Sequence, residues 1–161
     1  MAEYTQALIA GAIRFGKLRF SAAPWLECRP VGVADHKKAA PRSVRCAVVT
    51  VSDTRSPATD TSGALLKARL EAGGHRIASY EILPDEPTRI RERVRALVDA
   101  DVEAVLLSGG TGIAPRDTTF EAVVGMLDRR LDGFGELFRS LSYAEIGSAA
   151  MLSRAVAGTL R

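Results

Sequence analysis

Arg45-Cys-Ala-Val-Val-Thr-Val51 has no alternation of apolar and polar side chains and is rich in β-branched residues. A short continuous run of this kind marks a strand covered on both faces, as in a parallel sheet packed between helices. It stops at Ser52-Asp-Thr54, and turn-rich sequence follows as far as Gly63. Leu65, Leu66, Leu70 and Ala72 are then spaced for an amphipathic helix, which Gly73-Gly74 can end. Residues 75–83 read as a second strand, closed by Pro84-Asp-Glu-Pro87. Ile90, Val94, Leu97 and Val98 make one apolar stripe of a second helix, whose Arg89, Arg91, Arg93 and Arg95 are expected on a solvated face.

Residues 102–107 read as a third buried strand, followed at once by Ser108-Gly-Gly-Thr-Gly112. Thr118 and Glu121 have the spacing of a capping box before a helix carrying Phe120, Val123, Val124 and Leu127. Phe134, Leu137, Phe138 and Leu141 repeat that spacing, and residues 145–159 are helical in composition, with Ala149, Ala150, Ala155 and Ala157. Strand–helix alternation predicts an α/β fold: a three-layer, mostly parallel sheet with helices on both faces. Upstream, Ala7, Leu8, Ile9, Ile13 and Phe15 suggest a short helix before Pro24, Pro30 and Pro41 break the pattern. Residues 1–34 are therefore read as a leader of unassigned role and 35–161 as the domain.

The chain has 161 residues, of which 47% are hydrophobic and 25% charged, a globular balance for one domain. No apolar run approaches the ~20 residues of a membrane helix. The net charge of +3 is unevenly distributed. Residues 1–45 hold eight Lys/Arg against three acids, and residues 46–161 hold 14 against 16. The basic excess thus belongs to the leader, with no basic stripe interleaved with aromatics, so neither a nucleic-acid nor a membrane partner is expected. Cys28 and Cys46 are expected as reduced thiols of a cytoplasmic protein. With only His36 and His75 beside them, no zinc spacing exists.

In open α/β sheets ligands bind beyond the carboxyl ends of the strands. Each of the three strands is followed by a loop bearing an acid: Asp53 and Asp60 after the first, Asp85 after the second, Asp117 after the third. On one sheet edge these could converge on a pocket, although Asp60 and Asp85 could equally cap the helices that follow them. Gly109-Gly-Thr-Gly112 is the sharper signal, because such a loop brings backbone N–H groups close to an anion. It is neither a Walker A loop nor a dinucleotide fingerprint: no Gly-Lys-Ser/Thr follows, and Pro115 takes the last fingerprint position. A glycine loop beside carboxylates makes chemical sense if a divalent metal bridges them to a phosphate.

These residues resemble the MoaB/Mog family of molybdenum-cofactor biosynthesis, to which the gephyrin G domain is related. The resemblance spans about residues 35–160 and rests on Val49-Thr-Val-Ser-Asp-Thr-Arg55, Asp60-Thr-Ser-Gly63, Leu83-Pro-Asp-Glu86, Ser108-Gly-Gly-Thr-Gly-Ile-Ala-Pro-Arg-Asp-Thr-Thr119, Gly133-Phe-Gly-Glu136 and Met151-Leu-Ser-Arg-Ala-Val-Ala-Gly158. Phe138-Arg-Ser-Leu-Ser-Tyr143 leans to the MoaB branch. The resemblance implies a molybdopterin adenylyltransferase, joining ATP and molybdopterin with Mg²⁺ and releasing pyrophosphate. It implies Asp60, Asp85 and Asp117 as functional acids, with Asp85 and Asp117 on the metal. Ser52, Asp53, Ser108, Gly109, Gly110, Thr111, Gly112 and Ser153 would bind substrate. It also implies a homo-oligomer, a trimer or hexamer. Family members continue into a further apolar strand and closing helix, so a domain lacking both is expected. The alternative is a non-catalytic molybdopterin-binding or assembly protein on the same fold.

Overall fold

A computed structural model of the chain describes residues 10–13 and 41–161. Cys28, His36 and most of the leader lie outside the described residues. Among the described residues six strands form one sheet: β1 (Ala10–Ile13), β2 (Arg45–Val51), β3 (Arg76–Leu83), β4 (Ala104–Ser108), β5 (Arg129–Arg130) and β6 (Gly158–Thr159), in the order β3-β2-β4-β1-β6-β5. β2 is parallel to both β3 and β4, whereas β1 runs antiparallel to β4 and β5 antiparallel to β6. Among the described residues four α-helices accompany the sheet: α1 (Thr61–Ala72), α2 (Pro87–Asp99), α3 (Thr119–Val124) and α4 (Asp132–Ile146).

The unbroken apolar run of β2 has the environment its composition demands, with residues Cys46 through Val51 all buried. Ala47, Val49 and Val51 face a large cluster with Ile90, Val94, Leu97 and Val98 of α2 and Ala122 and Val123 of α3. Cys46 and Val48 face the other way, onto Leu66 and Leu70 of α1. The sheet is therefore covered on both sides. Fully burying a Val, Leu or Ile side chain contributes about 1.5–3 kcal/mol, so these two clusters dominate the stability. Burial, helped by the nearby negative charge of Glu103, pushes the Cys46 thiol up, so it behaves as a small core hydrophobe.

Four expectations need correction. Ala10–Ile13 is a strand, not part of a helix: short apolar runs suit either state, and here the backbone pairs with β4 from Ala10↔Leu107 to Ile13↔Ala104. Residues 145–159 are not one helix. A 3₁₀ turn (Gly147–Leu152) is followed by irregular chain into β6, with Gly147 at φ 62° ending α4. Thr118 and Glu121 form no capping box, for the Thr118 hydroxyl goes to Asp85 and Glu121 pairs with Arg154. Arg93 is not merely solvated, since its Nε reaches both oxygens of Glu81 on β3 at 2.7 Å.

Candidate functional site

The chain leaves β2 for β3 on one side, then returns through α2 to β4 on the other. The carboxyl ends of β2 and β4 therefore flank a switch point, where a crevice opens in sheets of this type. A cavity of about 410 Å³ lies there, lined by Thr50 and Val51 of β2, Ser52 just after it, Ser108 of β4, the glycine loop that follows, and Arg55, Ser62 and Asp117. The loop hugs the end of β2: Gly109 has φ 100°, and any Cβ there would strike the Val51 carbonyl. Gly110 has φ 60°, and its missing Cβ would collide with Thr119 Oγ1 and Asp85 Oδ2. Both positions require glycine for conformation and for space.

Ser52, Ser108, Gly109, Gly110, Thr111, Gly112 and Asp117 are thus brought together on one cavity. Asp53 borders a neighbouring hollow of about 580 Å³ with Arg55 and Tyr80. There Asp53 pairs with Arg116 and accepts the Asp85 N–H at 3.0 Å. Asp85 reaches the back of the loop: Oδ1 accepts the Thr118 N–H (3.2 Å) and hydroxyl (2.8 Å), while Oδ2 lies against Gly110. Asp117 Oδ2 accepts the Ala114 N–H at 2.9 Å, and its carboxylate lies against Gly112. Ser153 is buried but is not part of the cavity lining.

Asp60 differs from the other acids. It is 2% exposed and accepts from Thr50 Oγ1 (2.6 Å), Tyr80 Oη (2.7 Å) and the Gly63 N–H (3.0 Å), the last as the N-cap of α1. Burial alone would raise its pKa. The three hydrogen bonds and the charge of Arg55 outweigh that and hold the carboxyl below its usual range. Asp60 therefore sits under the cavity floor, between the lining residues Thr50 and Ser62, as a fixed negative charge.

For a magnesium ion the relevant oxygens are those still free. Among the described residues Asp85 Oδ2 and Asp117 Oδ1 accept no hydrogen bond, while each partner oxygen is tied to the loop region. No group of three or more His, Cys, Asp or Glu capable of holding a metal occurs among the described residues. Two carboxylates suit Mg²⁺ when substrate phosphates complete its shell; of the two, Asp117 borders the cavity and Asp85 stands behind the loop, outside the lining.

Sequence reasoning missed four participants. Thr50 helps to floor the cavity, and among the described residues Arg55 is the one cation on its lining. Thr119 is fully buried, donates its N–H to the Gly110 carbonyl at 3.0 Å, and has an unpartnered hydroxyl, as does Ser153. Arg154 braces the glycine loop from behind. Arg55, Thr119 and Arg154 stand inside motifs quoted above, but nothing in their local spacing distinguishes them.

Known proteins resemble this chain in sequence and fold. Residues 47–160 match the family described as "Probable molybdopterin binding domain". The chain is 52% identical over 130 residues to the molybdenum cofactor biosynthesis protein B of Halalkalibacterium halodurans, covering 80% of this chain and 76% of that one. A crystal structure of a molybdenum cofactor biosynthesis protein B superposes with a TM-score of 0.71 at 54% identity, covering 75% and 76% of the two chains. The tungsten cofactor synthesizing protein MoaB from Pyrococcus furiosus gives 0.68 at 35% identity, covering 76% of each. No helix among the described residues is long and apolar enough to cross a membrane. Glycine loop, switch-point cavity and these likenesses together make the chain a member of the MoaB/Mog family.

Proposed function

We propose that the chain serves molybdenum-cofactor biosynthesis as a molybdopterin adenylyltransferase, joining ATP to the terminal phosphate of molybdopterin with release of pyrophosphate. The observation that carries the reading is the cavity between β2 and β4. One wall is the glycine loop, another bears Arg55, and Asp117 stands at the rim. Backbone N–H groups with one guanidinium favour a phosphate, and preorganised donors of this kind stabilise charge that develops in a transition state. The reaction is an in-line attack of the pterin phosphate oxygen on the α-phosphorus of ATP, with pyrophosphate as the leaving group.

In this scheme the loop orients the attacking phosphate, and Arg55 offsets its charge. Asp85 Oδ2 and Asp117 Oδ1 would hold Mg²⁺, which when bound neutralises negative charge on the triphosphate. Asp60 keeps Thr50 and the start of α1 in place beneath the site. Leu137 and Leu141, 61% and 65% exposed on α4, and Met151, 77% exposed, form apolar surface that a homo-oligomer would cover.

The deciding assay is pyrophosphate release from ATP with molybdopterin and Mg²⁺, run beside a pterin-free control. Pterin-dependent release is expected; its absence from protein that melts cooperatively and binds molybdopterin would overturn the transferase. One observation favours a second reading, a non-catalytic molybdopterin-binding protein: Asp85 and Asp117 each commit one oxygen to a backbone N–H, of Thr118 and Ala114 respectively. That reading predicts pterin binding without Mg-ATP binding.

A further inference from the structure

Arg154 stands outside the main cavity yet touches three pieces of its wall. Its Nε donates to the Thr111 carbonyl at 3.2 Å and one Nη to the Asp117 carbonyl at 2.8 Å. The other Nη pairs with Glu121 of α3, and the guanidinium carbon lies 5.2 Å from the Phe120 ring centroid. The side chain is 26% exposed and borders a separate hollow of about 420 Å³ with Arg91, Pro115 and Thr118. Asp117 borders this hollow and the ligand cavity alike. Residues 111–118 are therefore a partition, with the cavity on one side and Arg154 on the other.

That placement has an electrostatic consequence. Pro115 has no N–H, so this loop carries more carbonyls than N–H groups, and a carbonyl turned into the cavity would repel the anion that the N–H groups attract. The Arg154 fork holds two of those carbonyls, at Thr111 and Asp117, toward the far side. A planar guanidinium can serve three fixed acceptors at once, whereas an ammonium is a single mobile point of charge. The carbonyls come from both ends of the segment that carries Asp117, so the same side chain also sets where that carboxylate stands.

We propose that Arg154 is a positioning residue for anion binding. Without touching the ligand, it locks the glycine loop and the Asp117 turn in the conformation that presents backbone N–H groups to a phosphate. The proposal rests on reading the loop as the pterin-phosphate cradle.

The test compares wild type, Arg154→Gln and Arg154→Lys in the full chain. It measures native-state amide exchange at residues 109–118 against β2 as internal reference, together with molybdopterin titration and thermal melts. Arg154→Gln is expected to speed exchange in the loop by about tenfold or more, leave β2 unchanged, and weaken molybdopterin binding by a similar factor. Arg154→Lys should recover the melting temperature by keeping the Glu121 pair, but should not recover loop protection or binding. Unchanged loop exchange in Arg154→Gln would overturn the proposal. So would faster exchange with unaltered affinity, because the side chain would then be structural only. Wild-type behaviour of Arg154→Lys in both measurements would overturn the argument from the fork. Failure of wild type to bind molybdopterin would instead sink the cradle reading. Titration with inorganic phosphate then decides the clamp, equal affinities for wild type and Arg154→Gln counting against it.

Discussion

Asp60 and Asp117 use one oxygen alike. Asp60 accepts an N–H three residues ahead, from Gly63, and Asp117 accepts one three residues behind, from Ala114. They part company at the other oxygen. In Asp60 it is occupied by the Thr50 and Tyr80 hydroxyls in a buried pocket, whereas in Asp117 it accepts nothing among the described residues and the residue borders the cavity. A carboxylate with all its acceptors engaged holds structure together. One with a free oxygen at a cavity rim is available for chemistry. Spacing after a strand made the two look equivalent, and the partners of the second oxygen separate them.

The widest gap should open at Asp117. Asp117→Asn keeps an acceptor for the Ala114 N–H but loses the charge on the free oxygen. Pterin-dependent pyrophosphate release should fall by about a hundredfold or more, the scale on which one stabilising group is lost from a transition state. The melting temperature should stay nearly level or rise. A marked drop in stability with normal turnover would reverse the roles assigned to the two acids.

Asp60→Asn should show the opposite signature. The amide cannot offer an oxygen to Gly63 on one side and to two hydroxyls on the other, so buried donors are left unsatisfied. A loss of about 3 kcal/mol is expected in denaturant unfolding, since hydrogen bonds to a charged group contribute about 1.5–3 kcal/mol each. Activity per folded molecule should change far less than in Asp117→Asn. An unchanged unfolding midpoint with lost activity would restore Asp60 as a group that acts on substrate.

The same contrast explains what was legible beforehand. The β2 run and the α2 stripe were readable because burial is written in local periodicity: Ile90, Val94, Leu97 and Val98 are all buried. The glycine loop was readable because its residues are contiguous and its conformation excludes other side chains. The use made of Asp60 was not, because Thr50 and Tyr80 lie ten and twenty residues away in sequence and meet it only through sheet pairing. Arg154 reaches a carbonyl 43 residues back, a link no spacing pattern encodes. Residues 145–159 misled through alanine, whose helix preference is weak beside tertiary packing. There Ala155 lies outside any helix, and a Cβ at Gly135 would crowd its carbonyl.

The smallest effect is the most discriminating for how Asp60 works. Tyr80 donates to Asp60 and carries Lys67 over its ring at 3.8 Å, so Tyr80→Phe removes a hydrogen bond while keeping the packing surface. A cost of about 1.5 kcal/mol is expected near neutral pH, the low end for a bond to a charged group. The pH profile then assigns it. Asp60 has a depressed folded pKa, so its stabilisation is present above the unfolded value, 3.8, and is lost as pH falls through the lower folded one. Burial, the bond to Asp60 and the charge of Asp60 push Tyr80 up to about 12, so its contribution is present below the unfolded value of 10.0 and lost as pH rises toward 12. Tyr80→Phe should accordingly shrink the acid-side loss and abolish the alkaline one, leaving the middle of the curve parallel to wild type. An alkaline limb identical in the two proteins would mean that the Tyr80 hydroxyl contributes nothing to holding Asp60. The contact of Lys67 with the ring is kept by phenylalanine, so any neutral-pH cost would then come from repacking around the missing hydroxyl.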